Sequence, residues 1–401
     1  MNRSHGWTAL LILTAMLAGC QPQAPTATEA EDFTRPLPPG QLALRKITDP
    51  TQVPDIGPAC RNTYLLKESV QNSLSYLSKP SSEQFFPYGQ ISHAHAIASL
   101  EAIESLLEES LSPQQLQRRI MQDFDFYTSV GWDGRGTVLF TGYYTPILQA
   151  SMQPTARFRY PLFSPPEGLV KGPNGEILGI RGPDGQLRQM PPRKQLPSAG
   201  LLGGNELVWL EDPFEVYVAH VQGSAILELR DGERITVGYA ATNGHEYRSI
   251  APALIADGAI EKDKMSLRAM IDYFQAHPEK VEQYVDTNPR FVFFRISQTR
   301  PRGSLNEPVT PMRSIATDKD VYPRGCLALI RAPLPRDVGG RIRTLEYAGF
   351  ALDQDTGGAI RAPGRCDIYV GVGDRAGEQA GRTYHKGRLY YLFLKPERLG
   401  M

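Results

Sequence analysis

The spacing of apolar residues along the chain passes from helical to alternating. Leu66, Val70, Leu74 and Leu77 recur every three or four residues and stop before Pro80, which is the repeat of one buried helix face. Ile97, Leu100, Ile103 and Leu107 make a second such stripe over His93–Glu109, and Ser112-Pro113 starts a third helix running through Ile120. From Thr137 the period falls to two. Val138–Phe140 runs into Thr141-Gly142-Tyr143-Tyr144-Thr145-Pro146, and short strands follow at 207–210, 216–221, 225–229 and 234–240. Strands this short and this close together suggest a small barrel. Between 157 and 204 the turn signals Gly172-Pro173-Asn174-Gly175 and Gly182-Pro183-Asp184-Gly185 flank Ile177–Ile180. Residues 265–285 return to helix with Leu267, Met270, Ile271 and Phe274 inward. Strands then resume at 291–294, 312–320, 326–330, 350–354, 366–370 and 387–394. The pattern predicts a mainly β protein with N-terminal helices.

Composition agrees with that class. In 401 residues there are 37 Gly, 33 Pro and 18 Tyr, which suits a turn-rich β fold. The charge balance is zero, 43 basic against 43 acidic, and gives no support to nucleic-acid binding, which leaves a basic footprint. The N-terminus reads as a targeting segment: Arg3, an apolar run from Ala9 to Ala18, and Leu17-Ala18-Gly19-Cys20. This is similar to a bacterial lipoprotein signal over residues 1–20, with Cys20 the lipidated first residue of the mature chain. Gln21 after it fits the outer membrane, facing the periplasm. Residues 21–50, rich in Pro, Thr, Ala and Glu, read as a flexible tether. Three cysteines remain. Cys326 and Cys366 fall in strand-like segments and could pair, leaving Cys60 odd, and spacing alone leaves the connectivity open.

The candidate chemistry gathers between Phe350 and Gly371. Asp355 ends a strand directly before Thr356-Gly357-Gly358, and a second strand, Cys366–Val370, carries Asp367. An acid at a strand end, beside a glycine turn that admits a ligand, suits acid/base work, although the same residues also serve as a turn cap. The Asp-Thr-Gly triplet also resembles an aspartic-protease site, but those enzymes need two such triplets and the chain has one. Tyr143 and Tyr144 could line a sugar groove or form a β-edge. The polar loops 221–224 and 243–248 could line it too, as could ordinary connections. His93 and His95 lack the pattern of a metal site, and Gly371–Gly377, similar to a dinucleotide fingerprint, lacks its βαβ setting. No metal, nucleotide or other cofactor is expected.

With these residues in view, the stretches FTGYYTPILQA (140–150), VQGSA (221–225), YAATNGHEYRSI (239–250), NPRFVFF (288–294), RSIATDKDVYPRG (313–325), QDTGGAIRAPGRCDIYVGVGD (354–374) and GRLYYLFL (387–394) resemble the membrane-bound lytic transglycosylase A family of peptidoglycan-cleaving lipoproteins. The resemblance includes the family's C-terminal module named for three aspartates. It implies a double-psi β-barrel built from residues 51–147 and 289–401, with a second, smaller β-barrel inserted at 148–288 and glycan strands held in the cleft. The three aspartates map onto Asp318, Asp355 and Asp367, with Asp355 the catalytic acid. Thr141, Tyr143, Tyr144, Gln222, Ser224, Asn243, Asp318, Gly357, Gly358 and Asp367 are the implied substrate contacts. The implied reaction is cleavage between N-acetylmuramic acid and N-acetylglucosamine with formation of a 1,6-anhydromuramyl end. A non-catalytic wall-binding lipoprotein and a hydrolytic muramidase, with Glu211 and Asp212 as its further carboxylates, are the alternatives. His220 and Ala225 depart from the family pattern beside the 221–225 loop.

Overall fold

The computed structural model describes residues 31–173 and 175–400. The expected signal, residues 1–20 with Cys20, and the turn residue Asn174 lie outside them. The chain opens with β1 (Leu44–Lys46) and the helices α1 (Gly57–Cys60), α2 (Leu66–Leu77), α3 (His93–Glu108) and α4 (Pro113–Asp123), then β2 (Phe124–Ser129) and β3 (Val138–Thr145). The middle holds β4 (Ile147–Ser151), β5 (Tyr160–Phe163), β6 (Leu169–Lys171), β7 (Ile177–Arg181), β8 (Leu187–Arg188) and β9 (Glu206–Leu210). After these come α5 (Pro213–Gln222), β10 (Ser224–Leu229), β11 (Arg234–Thr242), α6 (Ala251–Ala256), α7 (Leu267–Ala276), α8 (Val281–Val285) and β12 (Val292–Ser297). The C-terminal part is β13 (Ser314–Ala316), β14 (Leu327–Val338), β15 (Arg341–Asp355), β16 (Arg365–Val372), α9 (Asp374–Gly381) and β17 (Tyr384–Leu394).

The helices of the first part follow their local signals. Ser112 Oγ accepts from Gln115 N at 3.3 Å while Gln115 Oε1 accepts from Ser112 N at 2.8 Å, a reciprocal cap that sets the start of α4 behind Pro113. These helices pack on the barrel: Ser99 of α3 accepts from Leu394 N at 2.9 Å, and the buried amide of Gln354 donates to Ser69 O of α2 at 2.8 Å. Of the two histidines, His95 serves the same packing, meeting Leu394 O at 2.7 Å, while His93 meets Ser82 Oγ at 2.8 Å within the helical part. β1 pairs with β2, and Ala43 and Leu44 are buried, so the fold begins inside the segment expected to be a tether to residue 50.

β17 pairs with both β14 and β3, which closes the ring β17–β14–β15–β13–β16–β3 into a six-stranded barrel. Two of its pairings, β13 with β15 and β16 with β3, are parallel. Inside lie Phe350, Leu352, Ile315, Ile368 and Tyr391, each 1 % exposed or less. The β16–α9–β17 unit carries the glycine-rich 371–377 stretch. β16 runs parallel to β3 and β17 antiparallel to it, so the two strands flank β3 in opposite directions and no βαβ crossover forms.

The second sheet has the order β12–β11–β10–β4–β9–β5, with its edge strands β12 and β5 close together. It takes in Val292–Ser297 beyond the expected 148–288 insert. A ribbon of β6, β7 and β8 covers Phe291 and Phe293 with Leu169, Ile177 and Ile180.

Several local expectations are corrected. Residues 216–221, expected as a strand, belong to helix α5. Asp212 accepts from Phe214 N at 2.7 Å as the N-cap, Pro213 fills the first turn, and Gly223 closes the helix at φ 76°. A left-handed closing residue is where glycine belongs, since a Cβ there meets the chain's own carbonyl. The helix over 265–285 breaks at Pro278 into α7 and α8. In α7 only Phe274 of the four expected inward residues is fully buried. The cysteines do not pair: Cys60, Cys326 and Cys366 are buried free thiols. β15 and β13 stand between β14, which follows Cys326, and β16, which carries Cys366. A disulfide needs Cα atoms within about 7 Å, less than three strand spacings.

Candidate active site

Ala316 in β13 sits between two carboxylates. Its register partner on β15 is Asp355 and on β16 is Asp367, and its methyl leaves room above the barrel floor. Tyr143 reaches in from β3, donating its hydroxyl to Asp355 Oδ2 at 2.8 Å. Oδ1 of Asp355 accepts the backbone N–H groups of Ser304 and Thr356, both at 2.8 Å. The loop carrying Ser304 can come this near because residue 303 is glycine. A Cβ there would stand 2.6 Å from Gln354 O and 3.1 Å from Asp355 Cγ.

Burial pushes the Asp355 carboxyl above its ordinary pKa, although Tyr143, Ser304, Thr356 and the Lys319 charge all pull it down. Asp367 is pushed up to about 6, first by burial, with Arg365 and a hydrogen bond from Thr141 opposing and the charge of Asp355 adding. One oxygen of Asp367, Oδ1, has no hydrogen-bond partner. Beneath both, fully buried Asp353 pairs with Lys319 and accepts from Tyr391 at 2.6 Å and Thr317 at 2.7 Å.

These groups open on a cleft of about 1310 Å³ between the barrel and the second sheet. Tyr143, Asp318, Asp355, Gly357, Gly358 and Asp367 line one side, and Gln222 and Ser224 the other. Three expected contacts sit elsewhere. Tyr144 is buried with Val370 and Ala380 under α9, because neighbours on a strand face opposite sides. Asn243 is 1 % exposed; its amide donates to Pro191 O and Pro289 O, both at 2.9 Å, and its carbonyl accepts from Phe291 N at 2.8 Å, so it clasps three loops. Thr141 lies behind Asp367, its register partner. Asp318 borders the cleft but both its oxygens are held, by Ala362 N at 2.7 Å and Asp320 N at 3.1 Å. Gln222 is tied to the barrel, accepting from Tyr144 N at 3.0 Å.

Glu211 and Asp212 do not supply a further carboxylate. Glu211 pairs with Arg157 at 2.7 Å on the surface, and Asp212 caps α5. His220 is buried in its departure from the family pattern, bonded through Nδ1 to Arg193 at 3.1 Å. Ser304 and Lys319 were missed as site residues. Lys319 lies within the 313–325 match, and the signal at Ser304 is the glycine before it. Among the described residues no group of three His, Cys, Asp or Glu side chains is placed to hold a metal ion.

Comparison with known proteins bears on this arrangement as a whole. The MltA specific insert domain matches residues 139–295 and the 3D domain residues 313–393. The chain is 33% identical over 268 residues to the membrane-bound lytic murein transglycosylase A of Vibrio cholerae, covering 66% of this chain and 68% of that protein. To the protein of the same name from Escherichia coli K12 it is 32% identical over 283 residues, covering 69% and 72%. Among solved structures, a membrane-bound lytic murein transglycosylase from Agrobacterium tumefaciens superposes with TM-score 0.74 at 25% identity, covering 88% of this chain and 98% of that one. Escherichia coli MltA with bound chitohexaose superposes with TM-score 0.64 at 25% identity, covering 92% and 98%. The ring around Asp355 is thus the expected double-psi β-barrel with a smaller β-barrel inserted, and the chain belongs to the membrane-bound lytic murein transglycosylase A family.

Proposed function

We propose that this protein is a peptidoglycan lytic transglycosylase in which Asp355 alone moves the proton. The observation that carries the reading is the environment of that carboxyl. It lies in a long cleft, its pKa raised by burial, with donors from Tyr143, Ser304 and Thr356 placed to stabilise its ionised form. A neutral Asp355 gives its proton to the glycosidic oxygen as the bond from muramyl C1 to that oxygen breaks. The carboxylate left behind faces the oxocarbenium-like C1 and then takes the proton of the same sugar's 6-hydroxyl as O6 bonds to C1. No water enters, and the product is the 1,6-anhydro ring. One acid suffices where hydrolases use two, because the substrate supplies its own nucleophile. That a related protein holds chitohexaose supports a glycan in this cleft. The lipid anchor at Cys20, on the periplasmic face of the outer membrane, belongs to the same proposal. The membrane-bound naming of the relatives supports it.

Hydrolysis is the second reading, and one observation favours it: Asp367 stands across β13 from Asp355 with an elevated pKa. Two strand spacings set their backbones about 9–10 Å apart, near the upper end of the carboxyl separation of inverting hydrolases, which place a water between the two acids. Mass spectrometry of products from purified sacculi separates the two, since transglycosylation leaves anhydro ends and hydrolysis reducing ends. In the same assay Asp355→Asn, which keeps size but carries no proton, is expected to lower turnover about 10²–10⁴-fold or more with glycan binding intact. Retention of more than about a tenth of wild-type turnover would end the single-acid assignment.

A further inference from the structure

The chain carries no net charge, yet one flank of the cleft gathers guanidinium groups. Arg290 approaches from the segment before β12. A Cβ on Gly358, three residues past Asp355, would lie 3.3 Å from Arg290 Nε and 3.1 Å from Tyr247 Cβ, so this guanidinium rests against the glycine turn that carries the acid. Arg361 follows on the same turn, and both residues line the cleft. The two are near enough to repel. Burial lowers the Arg290 pKa and the charge of Arg361 pushes the same way, against an opposing pull from Tyr239.

Neither has a carboxylate partner among the described residues. Arg290 donates to His245 O at 3.3 Å and, through its backbone, to Asn288 Oδ1 at 3.2 Å, while Arg361 makes no hydrogen bond or ion pair. Several arginines elsewhere have acid partners, as Arg157 with Glu211 and Arg234 with Glu228, and buried Arg193 and Arg313 are held by backbone carbonyls. Two guanidiniums held together without an acid, one of them half-buried, cost stability unless an anion joins them. Planar guanidinium pairs are suited to the two oxygens of a carboxylate.

We propose that Arg290 and Arg361 form a carboxylate subsite that reads the 3-O-lactyl substituent of the muramyl residue at the cut. This rests on the transglycosylase reading and adds the feature that separates peptidoglycan from chitin. Both polymers share the β-1,4 backbone, but only the muramyl ring carries an acid, either the lactyl carboxylate or the carboxylates of a peptide joined to it. The ring whose C1 meets Asp355 carries that substituent at C3, and the proposal seats it toward the Gly357-Gly358 turn, where Arg290 and Arg361 line the cleft.

The test uses the chain with Asp355→Asn, which binds without cutting, and three soluble glycans. These are muramyl oligosaccharides with intact peptides, the same after an amidase has stripped the peptides to free lactyl groups, and neutral chitohexaose. Adding Arg361→Gln is expected to weaken both anionic glycans on the order of tenfold and leave chitohexaose unchanged. Raised salt should erase the difference. Loss on both assigns a subsite that takes the acid carried by the lactyl arm in either form, the free lactyl carboxylate or the carboxylates of the joined peptide, whereas loss confined to the peptide-bearing glycan overturns the reading of the lactyl group itself. Arg290→Lys, which keeps the charge and spares the fold, is expected to act in the same direction. Equal weakening of all three glycans, or of none, overturns the subsite while leaving the transglycosylase reading intact. Absence of anhydro ends from the wild-type chain would instead overturn that reading.

Discussion

Asp355 and Asp367 are the same residue type on strands that both border β13, yet their surroundings give them different work. Asp355 has three donors waiting for its charged form, whereas Asp367 keeps an oxygen with no partner. Ionising Asp367 in the fold is therefore unfavourable, and the sign of its effect on stability follows. Its pKa stands above the ordinary 3.8 at about 6, so its contribution is whole below the lower value and lost as pH rises through the higher one. Asp367→Asn is expected to stabilise the protein by about 1–2 kcal/mol at pH 7.5, after discounting the shift for partial exposure. Near pH 4 the gain should vanish. Urea titrations at the two pH values check this, and a variant less stable than wild type at pH 7.5 would refute it. At this scale the sequence was legible in part. Asp355 before the glycine turn was open, on its own chemistry, between a turn cap and an acid, and its role entered through the family resemblance; that Tyr143 faces Asp355 and Tyr144 the core follows from strand alternation, but which of the two faces inward depends on α9 covering that side. Asn243 was misread for a similar reason. A buried asparagine that ties loops together looks, in sequence, like one offered to a sugar.

Among the elements, α5 shows how composition can mislead. Val216, Tyr217, Val218 and Val221 are strand formers by preference. The boundaries tell otherwise: Asp212-Pro213 at the start and Gly223 at the end are helix punctuation, and burial of Phe214, Tyr217 and Val218 against α6, α7 and α8 decides the outcome. Because α5 ends on Gln222 and hands over to Ser224, its closing glycine also sets one wall of the cleft. Gly223→Ala puts a Cβ into open space but at φ 76°, so the strain is purely in the backbone. The expected cost is about 1 kcal/mol in chemical denaturation, with a weakened grip on glycan as Gln222 shifts. Unchanged stability would mean the turn tolerates a side chain there. The barrel strands were readable only in part: their buried ends, 327–330 of β14 and 350–354 of β15, are apolar or core-facing on both faces, while 331–338 and 341–349 were not foreseen as strand.

For the molecule as a whole, the arrangement of two barrels about a cleft entered through the family resemblance, because the pairing of distant strands leaves no local trace. The tether was half legible: its composition reads as linker, but Ala43 and Leu44 are already buried in the fold. If Cys20 is the lipid-bearing residue, Cys20→Ala should release the protein from sedimenting membranes with the folded part unaltered. Fractionation with membranes as in wild type would remove the anchor from the proposal. The order of the barrel strands has a consequence for synthesis. β3 emerges early but pairs only with β16 and β17, and Tyr143 meets its acid 212 residues later. A nascent or truncated chain has β3 unpaired until β16 arrives, just after the strand that carries Asp355, and has no closed ring until its last strand, β17. The barrel is thus closed last, and a copy that ends before β16 is expected to be inert toward the wall.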